Sequence, residues 1–202
     1  MMRKLCFSVC AIALFTASVF AADEPKKAAP SKEEQAQMEA MMKAATPGDM
    51  HKKLDGMVGT WDAKITMYGM PGQPPTMSTG TSENSWVLGG RWIEQKFSGN
   101  FMGMPFNGIG YTGYDNIKKT YVGTWMDNFS TSMMTSTGGP DADGKGGWTF
   151  TGTMDDPMTG KSMTLTEKVT MVDKDYHMWE MWGPGPDGKN MKMMEISYSR
   201  KK

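Results

Sequence analysis

Alternation with a period of two residues runs through most of the chain and constrains its fold more than any other feature. Segment 61–68 alternates Trp, Ala, Ile and Met with Asp, Lys, Thr and Tyr, which is the pattern of a strand with one buried face. Nine further strand-like segments follow, at about 77–88, 91–98, 105–113, 120–127, 131–137, 147–153, 162–172, 175–182 and 190–200. Turn-forming residues separate these segments, and no helical pattern intervenes. The sequence therefore predicts an all-β fold, an antiparallel up-and-down β-barrel of about ten strands, since closure removes exposed strand edges.

The first residues have the pattern of a secretory leader. Arg3 and Lys4 precede an apolar run over 5–20, and small residues follow it before the first acidic residue. The run is shorter than the roughly 20 residues that a membrane-spanning helix needs. We therefore expect a signal peptide at 1–21, cleavage after Ala21, and a periplasmic or secreted protein without a transmembrane segment.

Removal of the leader changes the composition that bears on function. Both cysteines, Cys6 and Cys10, leave with it, so we expect a mature chain without thiols or disulfides. The mature chain would carry 20 basic against 22 acidic residues, a net charge of −2. That balance argues against a nucleic-acid partner, which requires a basic surface. No pattern in the chain indicates an oligomeric state.

Helical patterns are confined to the residues before the strands. Segment 22–46 is predicted to be a linker followed by an amphipathic helix, because Ser31 and Glu34 form a capping-box pattern. The apolar residues of this helix fall at helical spacing: Met38, Met41 and Met42. The barrel domain, 47–202, is predicted to open with a second short helix that ends near Leu54.

Two sets of residues carry a resemblance to known families. Gly59-Thr60-Trp61, at the start of the first strand, resembles the Gly-x-Trp motif of calycins, the lipocalin and fatty-acid-binding superfamily. This resemblance implies that Trp61 lies at the closed floor of the barrel and that Arg200, on the last strand, packs across it. Three stretches resemble a bacterial exported family known as domain of unknown function 1579: 110–116, 124–127 and 194–200. That resemblance covers 47–202 and implies no activity.

Motifs for catalysis are incomplete or absent. Gly108, Gly110 and Gly113 match the dinucleotide-binding pattern, but another strand follows where that site needs a helix, so we expect them to shape a curved strand. The chain has no HExxH or Gly-x-Ser-x-Gly motif. Of its two histidines, His177 is predicted to be hydrogen-bonded on the outer face of its strand. The alternative, haem ligation, rests on resemblance to nitrobindin-type barrels. We therefore expect neither an enzyme nor a cofactor.

The hairpin around 173–174 predicts a polar feature inside the barrel. With a simple two-residue turn, Glu167 pairs with Glu180 on the strand face that also carries the apolar residues. The predicted ligand contacts on this face are Glu167, Met178, Glu180 and Trp182. Two partly desolvated carboxylates require a raised pKa or a neighbouring cation. They would anchor a cationic or hydroxyl group of a ligand, or form a structural ion pair with Arg91 or a lysine.

Methionine is the unusual component of the composition. The chain has 24 methionines, and beyond the leader only three leucines, so part of the methionine replaces leucine in the core. In an up-and-down barrel, alternate connections meet at one end, and the methionine-bearing connections all fall at the end opposite Trp61 and Arg200. The predicted ligand contacts at this mouth are Met102, Met104, Met133 and Met158. Flexible, polarizable thioethers suit varied apolar partners.

The sequence thus predicts an exported barrel that binds a small, mostly apolar molecule through a methionine-rich mouth. One alternative is a periplasmic protein that captures Cu(I) with the mouth methionines, since thioethers are soft ligands. Another is a non-catalytic interaction module with a filled barrel.

Overall fold

The computed structural model describes residues 29–69, 72–156 and 159–202. The predicted leader, most of the predicted linker, and Met158 lie outside these residues. Helix α1 spans Lys32–Ala45 and α2 spans Asp49–Lys52, followed by a 3-10 turn at Asp55–Met57. The strands are β1 (Gly59–Met67), β2 (Thr76–Val87), β3 (Trp92–Phe101), β4 (Met104–Asp115), β5 (Thr120–Asp127), β6 (Met134–Pro140), β7 (Gly147–Asp155), β8 (Ser162–Asp173), β9 (Tyr176–Pro184) and β10 (Asn190–Arg200).

The ten strands form one closed antiparallel barrel in sequence order. Each strand pairs with its neighbours in the chain, and β1 closes the barrel against β10, with Trp61 opposite Arg200 and Ile65 opposite Ile196. Alternate side chains point inward, so Trp61, Ala63 and Ile65 of β1 are buried while the residues between them are exposed. The predicted all-β up-and-down barrel of about ten strands is confirmed.

The barrel has two different ends. We call the floor the end formed by the β2–β3, β4–β5, β6–β7 and β8–β9 turns, and the mouth the end formed by the other five connections. At the floor, the segment from α2 through the 3-10 turn packs into the barrel and buries Leu54 completely. Tyr121 donates a hydrogen bond to the Met50 carbonyl (2.7 Å), and Trp61 and Asn84 donate to the Met57 carbonyl (3.1 and 2.9 Å). This segment therefore closes the floor.

Helix α1 lies outside the barrel core. Ser31 and Glu34 form the predicted capping box, and no residue of α1 is buried. The amide of Asn116, in the β4–β5 turn, donates to the carbonyls of Ala44 and Thr46 (3.1 and 2.8 Å) and holds the end of the helix against the floor. The second predicted helix is shorter than expected and begins at Asp49, where the Gly48 amide donates to His51 Nδ1 (3.1 Å).

The predicted pairing of β8 with β9 is wrong by one residue. A β-bulge at Val172 places Met171 opposite His177 and Asp173 opposite Tyr176. Without the bulge, the residues of β9 that face inward would have been the predicted ones. The Asp173 carboxylate accepts a hydrogen bond from the Asp175 amide (2.7 Å) within this turn. Because successive side chains alternate between faces, the extra residue exchanges the inner and outer faces of β9.

Two predictions about β9 change with this bulge. Glu167 lies opposite Met181 and is buried in the barrel, while Glu180 lies opposite Lys168 on the outer wall. The expected pair of facing glutamates therefore does not form. His177, expected on the outer face, points inward and is buried.

Glu180 belongs instead to a polar cluster on the outside of the barrel. Lys192 forms ion pairs with both Glu180 and Glu195, which face each other across β9 and β10. The Trp182 indole donates a hydrogen bond to Glu180 (3.1 Å), and Lys168 lies over the Trp182 ring. Glu180 thus forms an ion pair with a lysine, but on the outer wall and together with Glu195, not with Glu167 inside the barrel.

Candidate functional site

The barrel encloses a cavity of about 390 Å³ that extends from Met57 of the floor segment to Phe129 and Ser130 at the mouth. This volume falls within the range of about 300 to 1,000 Å³ that is usual for small-molecule sites. Its wall is mostly apolar and includes side chains from all ten strands. The apolar residues that line it include Ile65, Met67, Phe97, Phe106, Trp125, Phe150, Met154, Val169, Trp179, Met181, Met194 and Ile196. The barrel is therefore not filled, contrary to one alternative drawn from the sequence.

An aromatic group forms the wall of the cavity near the mouth. Phe106 stacks on Trp125 with ring centroids 6.5 Å apart, and it lies 5.5 Å from Phe129 of the β5–β6 connection. Phe129 in turn contacts Phe101 at 5.4 Å. Phe129 is partly exposed, so the apolar wall continues from the cavity to the surface.

The glycine motif in β4 makes room for this wall. A Cβ atom at Gly108 would collide with the Trp125 ring, and one at Gly110 would lie 3.0 Å from it. A Cβ atom at Gly113 would lie 2.6 Å from the ring of Trp92. The motif lies within a strand that continues into another strand, as predicted, and its function is to let aromatic rings pack against the backbone.

Glu167 is the acidic residue buried in the cavity wall. It comes from β8, and its Oε2 accepts a hydrogen bond from the Trp179 indole (3.2 Å). Its Oε1 is buried and has no hydrogen-bond partner among the described residues. Burial raises the pKa of Glu167, and interactions with Ser136 and Trp179 oppose that rise only in part. A buried carboxyl oxygen without a partner is costly, so this group is suited to a donor that a ligand supplies.

His177 lies deeper in the cavity, toward the floor. Its ring stacks on Tyr198 (4.7 Å) and meets the edge of Trp61 (4.4 Å). Its Nδ1 is buried and unpartnered in the described structure. Burial, together with the positive charge of Arg200, lowers the pKa of His177 to about 4, so its ring is neutral at neutral pH.

The wall formed by β2 and β3 carries a satisfied polar chain. The Gln95 amide donates to the Ser82 hydroxyl (2.9 Å), which donates to Asn84 (2.8 Å). The Asn84 amide ends the chain at the Met57 carbonyl of the floor segment. These groups satisfy one another's hydrogen bonds and stabilise this part of the wall. Glu167, by contrast, has one carboxyl oxygen without a partner among the described residues.

Trp61 and Arg200 meet at the floor as the family resemblance implies. The guanidinium of Arg200 lies over the Trp61 ring, 4.0 Å from its centroid. It donates hydrogen bonds to the carbonyls of Val58 (2.8 Å) and Lys174 (3.0 and 2.8 Å) and pairs with Asp175 (3.2 Å). These contacts connect the last strand to the floor segment and to the β8–β9 turn.

The predicted site residues divide between three places. Glu167 lines the cavity. Met178, Glu180 and Trp182 alternate with the inward-facing residues of β9 and lie on the outer wall, so they do not line the cavity. Met102, Met104 and Met133 lie at the mouth with exposed side chains.

Sequence reasoning missed the residues of β9 that do line the cavity. His177, Trp179 and Met181 face inward only because of the bulge at Val172. Asp173, which favours a turn through its own side chain, was the signal that the hairpin need not be regular.

Exposed apolar residues differ between the two ends of the barrel. At the mouth they are mostly methionine, with Met77 74%, Met102 73%, Met133 53% and Met104 51% exposed, together with Phe129 and Tyr68. At the floor turns they are Leu88, Ile117 and Val172. Among the described connections between strands, exposed methionine thus occurs at the mouth and not in the floor turns; the other strongly exposed methionines, Met38, Met41 and Met42, lie on α1 outside the barrel.

No group of three or more His, Cys, Asp or Glu side chains among the described residues is arranged to hold a metal ion. None of the helices in the described ranges has the length and apolar character needed to cross a membrane.

Comparison with known proteins gives a family and a fold. A family model described as "Protein of unknown function (DUF1579)" matches residues 46–200. No curated protein matches the chain. Among solved structures, Rv2717c from M. tuberculosis is 10% identical, with a TM-score of 0.56 over 78% of this chain and 100% of its own. At this identity the likeness supports the barrel fold alone.

Two other solved structures align with lower scores. A redesigned β-barrel is 14% identical, with a TM-score of 0.37 over 78% of this chain and 100% of its own. A protein of unknown function from the DUF3598 family of Nostoc punctiforme is 6% identical, with a TM-score of 0.24 over 77% of this chain and 100% of its own.

Proposed function

The chain belongs to the family of proteins of unknown function DUF1579, and for this member we propose a role as an exported protein that binds a small, mostly apolar molecule inside its barrel. The cavity of about 390 Å³ carries this proposal. A closed barrel of ten strands can fill its interior with side chains, but here large apolar residues line an open space.

The construction of the two ends supports entry through the mouth. The floor is closed by the segment around Leu54 and by the contacts of Arg200 with Val58 and Lys174. At the mouth, apolar side chains continue from Phe106 inside the cavity to the exposed Phe129. An apolar ligand would therefore meet a continuous apolar path at one end of the molecule only.

The exposed methionines of the mouth fit the same role. Unbranched thioether side chains change rotamer easily and adapt to ligands of different shape. Exposed apolar residues that are grouped around a cavity mark a binding surface more often than scattered ones do. Capture of Cu(I) stays a prediction, because Met102 and Met104 are exposed on one hairpin and could present their thioethers to a metal. Their exposure is explained equally by an adaptable apolar mouth, which requires no metal.

The proposal is tested by filling the cavity. Met134 of β6 lines it, whereas Met126, on the adjacent strand, faces outward. We expect the wild-type protein to bind the neutral apolar dye N-phenylnaphthylamine with an increase in dye fluorescence. Met134→Trp should weaken this binding by about tenfold or more, since an indole would occupy the entrance. Met126→Trp, with the same substitution on the outer wall, should leave it unchanged.

Thermal unfolding of both variants shows whether each is folded. Dye binding by folded Met134→Trp at wild-type affinity would place the site elsewhere and contradict the proposal. Native mass spectrometry of the protein purified from its own host gives a second measurement: a retained small-molecule mass that is lost in Met134→Trp is expected.

A further inference from the structure

The charge of the cavity wall restricts the head group of any ligand inside it. Among the described residues that line the cavity there is no lysine or arginine, while two carboxylates, Glu167 and Asp127, are present. Asp127 is already engaged, because it accepts hydrogen bonds from the Trp125 indole (3.0 Å) and the Phe129 amide (2.9 Å). Glu167 has one oxygen, Oε1, without a partner among the described groups.

Arg200, Lys192 and His177 do not supply a positive charge to the cavity. Arg200 lies on the floor side of Trp61, and its guanidinium is committed to backbone carbonyls and to Asp175. Lys192 is held between Glu180 and Glu195 on the outer wall. His177 does face the interior, but its ring is neutral at neutral pH because burial lowers its pKa to about 4. A ligand carboxylate would therefore enter an apolar space with an acidic residue and without a cation.

From this arrangement we propose that Glu167 selects the head group of the ligand. The cavity takes amphiphiles whose head group is a hydrogen-bond donor without negative charge, an alcohol or an amine, and it rejects carboxylates. This inference rests on the proposed function, since it concerns the ligand of the same cavity.

The physical reason lies in the two electrostatic costs that a carboxylate would meet. Transfer of a charged group from water into an apolar cavity is unfavourable unless an opposite charge or several hydrogen bonds receive it. A second carboxylate beside Glu167 would add repulsion between like charges in a medium of low polarity. A hydroxyl or ammonium group would instead donate to the free Oε1 and satisfy a buried acceptor.

The test uses three probes with the same apolar chain and different head groups: decanol, decylamine and decanoic acid. Each is titrated near neutral pH against the wild-type protein with bound N-phenylnaphthylamine, and displacement is followed by fluorescence. We expect decanol and decylamine to displace the dye at about tenfold lower concentration than decanoic acid. Equal or better displacement by decanoic acid would overturn the inference and leave the proposed function standing.

A matched pair of variants assigns the selection to Glu167. In Glu167→Gln we expect decanoic acid to gain about tenfold in affinity and decylamine to lose a similar factor, because an amide side chain cannot carry a negative charge. In Glu83→Gln, where the carboxylate is exposed on the outer face of β2, all three affinities should stay as in the wild type. A preference that survives unchanged in folded Glu167→Gln would rule out Glu167 as its source.

Different outcomes would contradict the proposed function and the head-group inference. If neither the dye nor any probe binds the folded wild-type protein, the proposed function is wrong and the head-group inference falls with it. If the dye binds and the three probes do not differ, only the head-group inference is wrong. The order in which the three probes displace dye from the wild-type protein requires no variant. It therefore tests the head-group inference even if Glu167→Gln does not fold.

Discussion

His177 is buried between two aromatic rings, and none of the residues that the structure describes gives it a charged partner inside the barrel. Stacking on Tyr198 and edge contact with Trp61 fill its surroundings with apolar surface. The ionised form of such a group is disfavoured, which is why its pKa falls from the ordinary 6.5 to about 4. In the unfolded chain the same imidazole has its ordinary pKa of 6.5 and takes up a proton as the pH falls below that value. The stability of the barrel is therefore linked to this one proton.

The linkage gives a pH-dependent prediction. Between about pH 6.5 and pH 4 the unfolded chain binds a proton at His177 that the folded chain does not, so stability is lost as pH falls through this window. The loss at the lower end is on the order of 3 kcal/mol. Thermal unfolding against pH should show a steeper acid decline for wild type than for His177→Phe, which keeps an aromatic ring in place. Parallel pH profiles for the two proteins would contradict the prediction.

Glu167 acts in the opposite direction, so the variant comparison is needed. Its pKa is raised in the fold, which means that the folded state loses stability as pH rises above the ordinary value of 4.5. The wild-type profile alone therefore contains two opposing contributions. The difference between wild type and His177→Phe removes the contribution that the two proteins share.

The inward position of Glu167 could be predicted from the alternation of β8, but the surroundings of His177 could not. Which residues of a single strand share a face follows from the sequence, since side chains alternate strictly along the strand. Which residues of two neighbouring strands share a face depends on the connection between them. Val172 adds one residue there that no hydrophobic pattern reveals. Every prediction for β9 that crossed this turn was reversed, Glu180 and His177 included.

At the level of elements, the two helical segments before the barrel have different relations to it. Helix α1 has no buried residue and touches the floor turn only at its end, through Asn116. The segment from α2 to the 3-10 turn buries Leu54 among Ile93, Tyr121, Trp148, Phe150 and Val169. The second segment is therefore part of the core, while the first is an appendage.

This difference predicts unequal effects of one substitution at two leucines. Leu54→Ala should lower the free energy of unfolding by about 2 to 5 kcal/mol, because it opens a cavity in the floor core. Leu88→Ala, in an exposed floor turn, should change it by less than about 0.5 kcal/mol. Denaturant unfolding measures both. A small effect at Leu54 would mean that the segment does not close the floor.

The elements were more predictable than their exact bounds. Capping residues identify α1 because Ser31 and Glu34 act locally, and alternation identifies the strands for the same reason. The sixth strand was expected from residue 131 but begins at Met134, since Ser130 and Ser132 bond to each other in the preceding loop. The 390 Å³ cavity was not predictable, because interior volume depends on how all ten strands pack together.

At the scale of the whole molecule, the proposal of export has its own test. Protein recovered from the periplasm or the medium should begin at Ala22 and fail to react with thiol reagents, because Cys6 and Cys10 would be absent. Ala21→Phe should block cleavage and yield a longer, thiol-reactive chain. N-terminal sequencing and mass spectrometry measure both outcomes. An unprocessed, thiol-reactive wild-type protein would contradict the proposal.

The pairing of β1 with β10 has a consequence for how the barrel can be made. All other strand pairs join neighbours in the chain and can form as hairpins while the polypeptide is still emerging. The seam between Trp61 and Arg200 joins the two ends of the domain and must wait for the last residues. Until then both terminal strands present open edges that can pair with other chains. A chain that crosses a membrane from its N-terminus would therefore remain aggregation-prone until its final strand has followed.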